Sequence, residues 1–427
     1  MKHLALSLLT LLCFATNVCA QLTLERCQQL AQENYPTIKK YGLIDRSLEI
    51  ELSDINKSWL PSVSAYGQGT IQNVVPAFPA ALEDILAQMG RDVRGIGKFQ
   101  YKIGVDVSQT IWDGGASKIR REIAQSQEAV QQSGLEVELY GLRLNVDNIY
   151  FAILLTEEQI KQSNQTLELL NANLELLRAM LKNGTAMRSD VDMVQAQELT
   201  LKQSITQAES TARSYRTLLS IYVGEDVSAQ ELVVPSANIP SPLTSDRPEL
   251  KLFDSRQKAL ETSQLMTNVS LMPKIGFFAQ AYYGYPGFDY FKSMMNRDLS
   301  FNILAGVRVS WNIDSFYTKK NKLTKTALDI DNINVERETF LFNSRLQTES
   351  QLETLEGLRN VMKDDAQIIE LRVNVRKAAE SQLRNGVIDA TALLSKITDE
   401  NLARLAAKFH EIQYIQEVYK IKNTLNR

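Results

Sequence analysis

The sequence predicts an α+β chain in which long coiled-coil helices alternate with short two-faced strands, the whole pattern written twice. Three observations lead there. Of 10 prolines, none falls between Pro79 and Pro235 or after Pro286. Proline inside a helix costs about 3 kcal/mol, so stretches that long without one argue for very long helices. Four separate segments alternate polar and apolar residues over strand-like lengths. Landmarks of the first half also recur in the second at constant spacing.

The duplication is read from residue distances. Asn34-Tyr35-Pro36 leads to Leu60-Pro61 as Asp246-Arg247-Pro248 leads to Met272-Pro273, each proline pair being 25 apart (61 − 36 and 273 − 248). Ser108 to Asn183 and Ser310 to Asn385 are both 75 residues (183 − 108 and 385 − 310). The offset falls from 212 at the prolines (273 − 61) to 202 after the serines (310 − 108), so the second half is ten residues shorter between these landmarks, a change that a connecting loop tolerates. The expected organisation is a signal peptide over 1–20, a first repeat over 21–235 and a second over 236–427. Pro235, Pro240, Pro242 and Pro248 mark the linker.

Residues 1–20 read as an export signal. Met1-Lys2-His3 gives a positive start, Leu4–Ala15 an apolar core too short to span a bilayer, and Val18-Cys19-Ala20 a small-residue cleavage site. Cleavage would remove Cys13 and Cys19 and leave Cys27 alone, so no internal disulfide is expected. Asn17-Val18 before Cys19 does not resemble a lipoprotein box. No later segment is apolar enough for a transmembrane helix, so an exported chain is secreted, periplasmic or a β-barrel.

Composition narrows the chemistry. The 427 residues carry 47 Lys+Arg against 50 Asp+Glu, a net charge of −3 that gives no basic face for nucleic acid. A hydrophobic share of 44% suits a folded chain. With His3 in the signal, His410 alone leaves little scope for histidine metal sites or Ser-His catalysis. No nucleophile–base pair, phosphate loop or metal cluster stands out, and Gly114-Gly115 lacks the wider pattern of a nucleotide site. The chain is therefore expected to be no enzyme and to need no cofactor. Asp364-Asp365, Glu157-Glu158 and Lys319-Lys320 read as charges on solvated helix faces.

The strands are expected at about 62–73, 101–112, 274–285 and 301–313. In the first, Ser62, Ser64, Tyr66, Gln68, Thr70 and Gln72 alternate with Val63, Ala65, Gly67, Gly69 and Ile71. In the second, Ile103, Val105 and Val107 oppose Asp106, Ser108 and Thr110, and Ile111 slips the register by one. About ten residues is also the length of a tilted membrane strand, although half-buried hairpins of a soluble protein fit the strands equally well. The helices are expected as hairpins over about 116–223 and 317–425. Leu135, Leu139, Leu142, Val146, Ile149 and Ile153 step by four and three, and Ile160, Leu167, Leu170, Leu174, Leu177 and Leu181 continue that seam. Asn183-Gly184 supplies a left-handed stop after a helix of roughly 100 Å at 1.5 Å per residue.

These residues together resemble the TolC family of outer-membrane efflux channels. The resemblance covers essentially the whole mature chain, from Leu22-Thr23-Leu24-Glu25-Arg26-Cys27 through Asn34-Tyr35-Pro36, Leu60-Pro61-Ser62 and Trp112-Asp113-Gly114-Gly115. Asn183-Gly184 with Ser189-Asp190-Val191 resembles the family's helix-tip motif, and Asn385-Gly386 with Thr391-Ala392-Leu393 is its repeat. The resemblance implies a homotrimer whose chains each give four strands to one 12-stranded β-barrel in the outer membrane, continued by a periplasmic helical barrel. It also implies a periplasmic adaptor protein and an inner-membrane pump of the RND, ABC or MFS type as partners. The second half departs at Asn312-Ile313-Asp314-Ser315, where the Asp-Gly-Gly ending is missing. Trp112 and Trp311 read either as an aromatic girdle or as core residues. The competing reading is an exported coiled-coil scaffold or adhesin without a pore.

The resemblance further implies an aperture at the hairpin tips. Aligned on Asn385-Gly386, the family's polar links fall on Leu383 and Ile388 and its acidic ring on Ala392 and Ser395, while Ser189 and Asp190 keep the first-hairpin partners. A polar latch is therefore not expected intact. Asp389 and Asp399 can share a helix face with Ala392 and Ser395, so Asp389 is expected either as a displaced acidic ring, with Asp399 a second one, or as a plain helix N-terminal residue.

Overall fold

A computed structural model describes residues 21–427 apart from Asp92 and Arg94; the signal read over 1–20 lies outside the described residues. In chain order come α1 (Leu24–Asn34), a 3-10 turn (Pro36–Lys39), α2 (Lys40–Lys57), β1 (Ser62–Ile71), α3 (Ala80–Gln88) and β2 (Phe99–Trp112). The long helix α4 (Ala116–Lys182) and α5 (Arg188–Val223) follow, and then α6 (Pro248–Val269) and β3 (Lys274–Tyr285). The short α7 (Tyr290–Met295), β4 (Ser300–Ser310), α8 (Ser315–Arg384) and α9 (Ala390–Leu425) complete the chain. The halves match in length: α4 and α8 have 67 and 70 residues, and α5 and α9 have 36 each. Compactness cuts across them. One unit comprises Gly42–Gln132 and Phe253–Val335, the other the residues up to Tyr41 with Ser133–Leu252 and Glu336–Arg427.

The first unit holds a single antiparallel sheet in the order β1-β2-β3-β4. Its register sorts the side chains cleanly. Ala65 pairs with Val105, Val105 with Ala281 and Ala281 with Ile303, so one face is mostly apolar, with Gln109 as a polar exception beside the bulge. On that face Val63, Ile103, Phe301, Ile303, Val307 and Val309 are exposed. The other face carries Ser64, Asp106, Gln280 and, on the neighbouring rungs, Ser108, Lys102 and Arg308. The slip at Ile111 is a β-bulge: pairing jumps from Thr110–Gly276 to Trp112–Ile275, which returns Trp112 to the apolar face. Trp112 and Trp311 are exposed, and Trp311 Nε1 donates to the Leu271 carbonyl at 2.9 Å, so neither is a packed core residue.

The strand-to-helix turns explain where the halves diverge. Gly114 and Gly115 have φ of +71° and +91°, a region that strains other residues, and a Cβ on Gly114 would meet Met272 Cβ at 2.6 Å. Asp113 caps the turn, its Oδ2 accepting from Ser117 N at 2.6 Å and its Oδ1 from Gly115 N at 2.9 Å. Residues 312–315 adopt no positive φ, so the second half needs no glycine there.

In the second unit the seam of α4 is the core. Val146, Tyr150, Phe151 and Ile153 are fully buried with Leu24, Cys27, Leu219 and Val227. Tyr150 Oη lies 2.7 Å from the carbonyls of both Leu22 and Val233, which share its one proton, joining the N-terminal segment to the linker after α5. Two pairs read as solvated faces are not: Glu157 bonds Arg216 between α4 and α5, and Asp365 meets His410 Nδ1 at 2.9 Å between α8 and α9. Glu157 sits opposite a guanidinium and Asp365 opposite an imidazole on the antiparallel neighbour, which a reading within one helix cannot see. Asp147 is buried as well (3% exposed), accepting from Gln28 and Asn423 at 2.5 Å.

Burial pushes the Asp147 carboxyl up to about 6, against the opposing hydrogen bonds from Gln28 and Asn423. Between the ordinary carboxyl range and that value the native state holds the extra proton, so stability rises as pH falls from neutral toward about 4. At neutral pH the charge costs up to about 3 kcal/mol. Asp147→Asn should therefore raise the apparent Tm of the detergent-solubilised protein at pH 7.5, with the gain vanishing near pH 4. A lower Tm at pH 7.5 would mean that the carboxylate itself is stabilising.

Candidate functional site: the hairpin tips

Both hairpins turn in the same way. The five residues 183–187 join α4 to α5, and 385–389 join α8 to α9. Gly184 and Gly386 take φ of +77° and +71°. Gly184 N then reaches the Leu181 carbonyl at 3.1 Å and Thr185 N the Met180 carbonyl at 2.9 Å, and Gly386 and Val387 repeat the pair on Leu383 and Gln382. The next helix start is capped differently in each. Asp190 lies inside α5 and reaches back, Oδ2 accepting from Met187 N at 2.9 Å. Asp389 precedes α9 and reaches forward, Oδ1 accepting from Ala392 N at 2.8 Å.

An apolar cluster joins the hairpins behind these turns. Leu170, Leu174, Leu177, Val191 and Val194 of the first pack with Leu383, Leu393 and Ile397 of the second. Leu383 is 4% exposed, and Ile388 packs on the cluster from the turn. Both positions expected to lack a polar link thus serve as apolar contacts. Polar ties between the hairpins here include Thr166 Oγ1 to Asn401 Oδ1 at 2.7 Å and Thr391 Oγ1 to Met193 Sδ at 3.4 Å.

The expected acidic face is present, but its carboxylates are engaged. Ser395 and Asp389 are exposed, and Ala392 and Asp399 half-buried. Asp389 caps its own helix, the plainer of its two expected roles. Asp399 pairs with Arg372 at 3.0 Å and approaches Lys396 at 3.9 Å. Ser189 is exposed beside the capping Asp190.

Sequence reasoning missed a denser charge network one turn further in. Arg376 bonds Glu400 and Glu380, both at 2.5 Å, and Glu400 also receives Arg404 at 2.9 Å. Arg376 and Glu400 side chains are only 12% and 7% exposed. Burial alone would lower the pKa of Arg376; its hydrogen bonds to Glu400 and Glu380 overcome this and hold it above the ordinary value. Arg372, Arg376 and Glu380 step by four along α8, facing Glu400 and Arg404 on α9, and that spacing was the available signal. Among the described residues, no cluster of His, Cys, Asp and Glu has the makings of a metal site.

The paired hairpins and the two-faced sheet can now be set beside known proteins. The family model described as Outer membrane efflux protein matches residues 46–224. Residues 46–224 are thus similar in sequence to the outer membrane efflux protein family. No curated protein matches in sequence. Among solved structures, VceC of Vibrio cholerae is similar at 12% identity and a TM-score of 0.66, covering 94% of this chain and 95% of VceC. The CmeC outer membrane channel of Campylobacter jejuni gives 14%, a TM-score of 0.63 and coverage of 94% and 85%. The MtrE outer membrane channel of Neisseria gonorrhoeae gives 14%, 0.64, and 94% and 88%. At such identities the likeness is one of fold, and it extends across the second half, which the family model does not reach.

The network and the caps should separate by energy. Arg376→Met leaves the buried Glu400 with only the half-exposed Arg404 and should destabilise by about 3 kcal/mol, as breaking a buried ion pair does. Asp389→Asn keeps a good capping side chain and should change stability by no more than a few tenths of a kcal/mol, with Asp389→Ala costing about 1 kcal/mol. Denaturant or thermal unfolding of the three variants in detergent checks the order. Equal losses would mean that the network is not a structural clamp.

Proposed function

We propose that this protein is the outer-membrane exit duct of a tripartite efflux or type I secretion system, assembled as a homotrimer. The observation that carries the reading is the sheet itself. Its apolar face is exposed along all four strands, and β1 and β4 each have only one neighbour. Four strands fall short of the about eight that close a barrel, and open edges cannot sit in lipid. Two copies would give eight strands around a filled interior; three give twelve around a wider one, which the polar second face suits. Leu346, Val361, Ile368, Leu371 and Val375 of α8 are exposed as well, stepping largely by threes, fours and sevens as a coiled-coil seam does when its partner is another chain.

On this reading the apolar face meets outer-membrane lipid and Trp112 and Trp311 lie in an aromatic girdle. The hairpins reach into the periplasm, where their tips meet an adaptor protein and an inner-membrane RND, ABC or MFS pump. Cargo choice lies with the pump, since a wide tunnel discriminates little. The two halves act as structural repeats, 21–235 and 236–427. At the aperture, Leu383 and Ile388 with the cluster behind them hold the tips by apolar packing, with the capped Asp389 and paired Asp399 lining it as subordinate charges. A poreless scaffold leaves the exposed apolar sheet face without a role.

Membrane fractionation and native mass measurement in detergent test the assembly. The protein should sit in the outer membrane and extract as a trimer. Val307→Arg and Val105→Arg, each on the apolar face, should cost about 2–4 kcal/mol near the bilayer midplane and deplete the trimer. Soluble periplasmic protein, or unimpaired assembly of both variants, would overturn the reading.

A further inference from the structure

The loop joining β3 to β4 does not stand clear of the sheet. Tyr282 and Asn302 are register partners on the polar face, where Ser62, Ser64, Ser108 and Ser310 are exposed, yet both are buried. The loop covers them. Phe288 N donates to Asn302 Oδ1 at 2.7 Å, and Asn302 Nδ2 in turn donates to the Ser300 carbonyl at 2.9 Å. The Phe288 ring meets Tyr282 edge-on with centroids 5.3 Å apart, and Tyr282 Oη donates to the Pro286 carbonyl at 3.2 Å. Gly287 lies so close that an added Cβ would meet Ser300 Oγ and the Asn302 amide.

Its far side is held equally firmly. Gly287 N donates to Ser293 Oγ at 3.1 Å and Tyr285 Oη to the Ser293 carbonyl at 3.2 Å. Tyr285 Oη also accepts from Gly97 N at 2.7 Å, bringing in the loop between β1 and β2. Ile96 and Met294 are buried with Tyr285, and Phe78 stacks near Phe291 at 6.0 Å. Among the described residues the two loops thus form one bonded cap over the strand ends, which meets the polar face at Tyr282 and Asn302 and is anchored by Tyr285, a residue with the strand parity of the apolar face.

We propose that residues 286–299 are a fixed inward flap that, with its copies, narrows the outer mouth of the channel. This rests on the trimeric-barrel reading, in which the polar face is the lumen. A barrel with loops directed outward would leave Tyr282 and Asn302 as wet as the serines below them. The flap would admit small solutes freely and retard bulky ones entering from outside, a sieve distinct from any closure at the hairpin tips.

Cysteine accessibility tests it. Cys27 is buried, its thiol pushed up to about 12 chiefly by burial, so background labelling is small. Ser64→Cys places a thiol on the polar face, and trimers in liposomes are labelled from the loop side with a small maleimide or one on a polyethylene glycol of several kilodaltons. The small reagent should react readily in every form. The bulky one should react slowly with the native loop and at least about tenfold faster when Gly287→Val pries the loop away or Phe288→Ala removes its ring contact, as for a lid that gates access. Phe288→Ala leaves the backbone bond to Asn302 intact and serves if Gly287→Val fails to assemble. Equal bulky-reagent rates with native and altered loops would overturn the flap. If the small reagent fails to label Ser64→Cys in intact trimers, the polar face is not the lumen and the barrel reading falls first.

Discussion

The constraint on which everything else depends is that a backbone in lipid must satisfy all of its hydrogen bonds. β1 and β4 each leave one edge unpaired, and the face beside those edges is apolar from Val63 to Val309. Neither feature is stable in water or in a bilayer by itself. A chain built this way is unfinished, and joining its edges to those of other copies solves both problems at once. The exposed seam residues of α8 state the same incompleteness in helical terms.

Inside the single chain, stability is arranged differently at different places. Where the linker, α1 and the middle of α4 meet, it rests on full burial and on buried polar groups with partners, Tyr150 between two carbonyls and Asp147 between two amides. Asp147 shows that such a partnership need not be stabilising in both charge states. At the tips the core is smaller and purely aliphatic, and α8 is held to α9 by Arg376 and Glu400. Breaking that pair costs more than the pair contributes, because the ion left behind stays buried with one partner fewer. The second hairpin is therefore stiffened internally while its hold on the first is mostly apolar.

Much of the fold was legible because periodicity survives local divergence. The alternation from Ser62 to Ile71 and the four-three steps from Leu135 to Ile153 are imposed by a face that must be apolar, whatever the identity of each residue. Even the slip at Ile111 carried information, since the bulge at Thr110–Trp112 needs one residue too many. The tip turns were legible through Asn-Gly, because only a left-handed residue lets both carbonyls of the last helical turn be met. What escaped were cross-helix partners. Glu157 with Arg216, Asp365 with His410 and Arg376 with Glu400 are each 24 or more residues apart in sequence. Their meeting depends on how far two antiparallel helices slide past each other, which a periodic pattern leaves undetermined to within a turn.

The same limit explains the aperture residues. Aligning on Asn385-Gly386 singled out Leu383, Ile388, Ala392 and Ser395, yet position alone did not assign what each side chain does. Asp389 can face a pore and still spend its carboxylate on Ala392 N, because the helix start offers unsatisfied donors at shorter range than any symmetry copy could. Asp399 likewise pairs with Arg372 of the same hairpin. Local partners come first, and a charge already neutralised within its own hairpin attracts cations weakly. Loss of the family's polar links at Leu383 and Ile388 is then coherent with the rest of the tip. Once the linking side chains are aliphatic, closing contact is strongest where water is excluded, and the acidic residues around it are free to serve as caps and clamps.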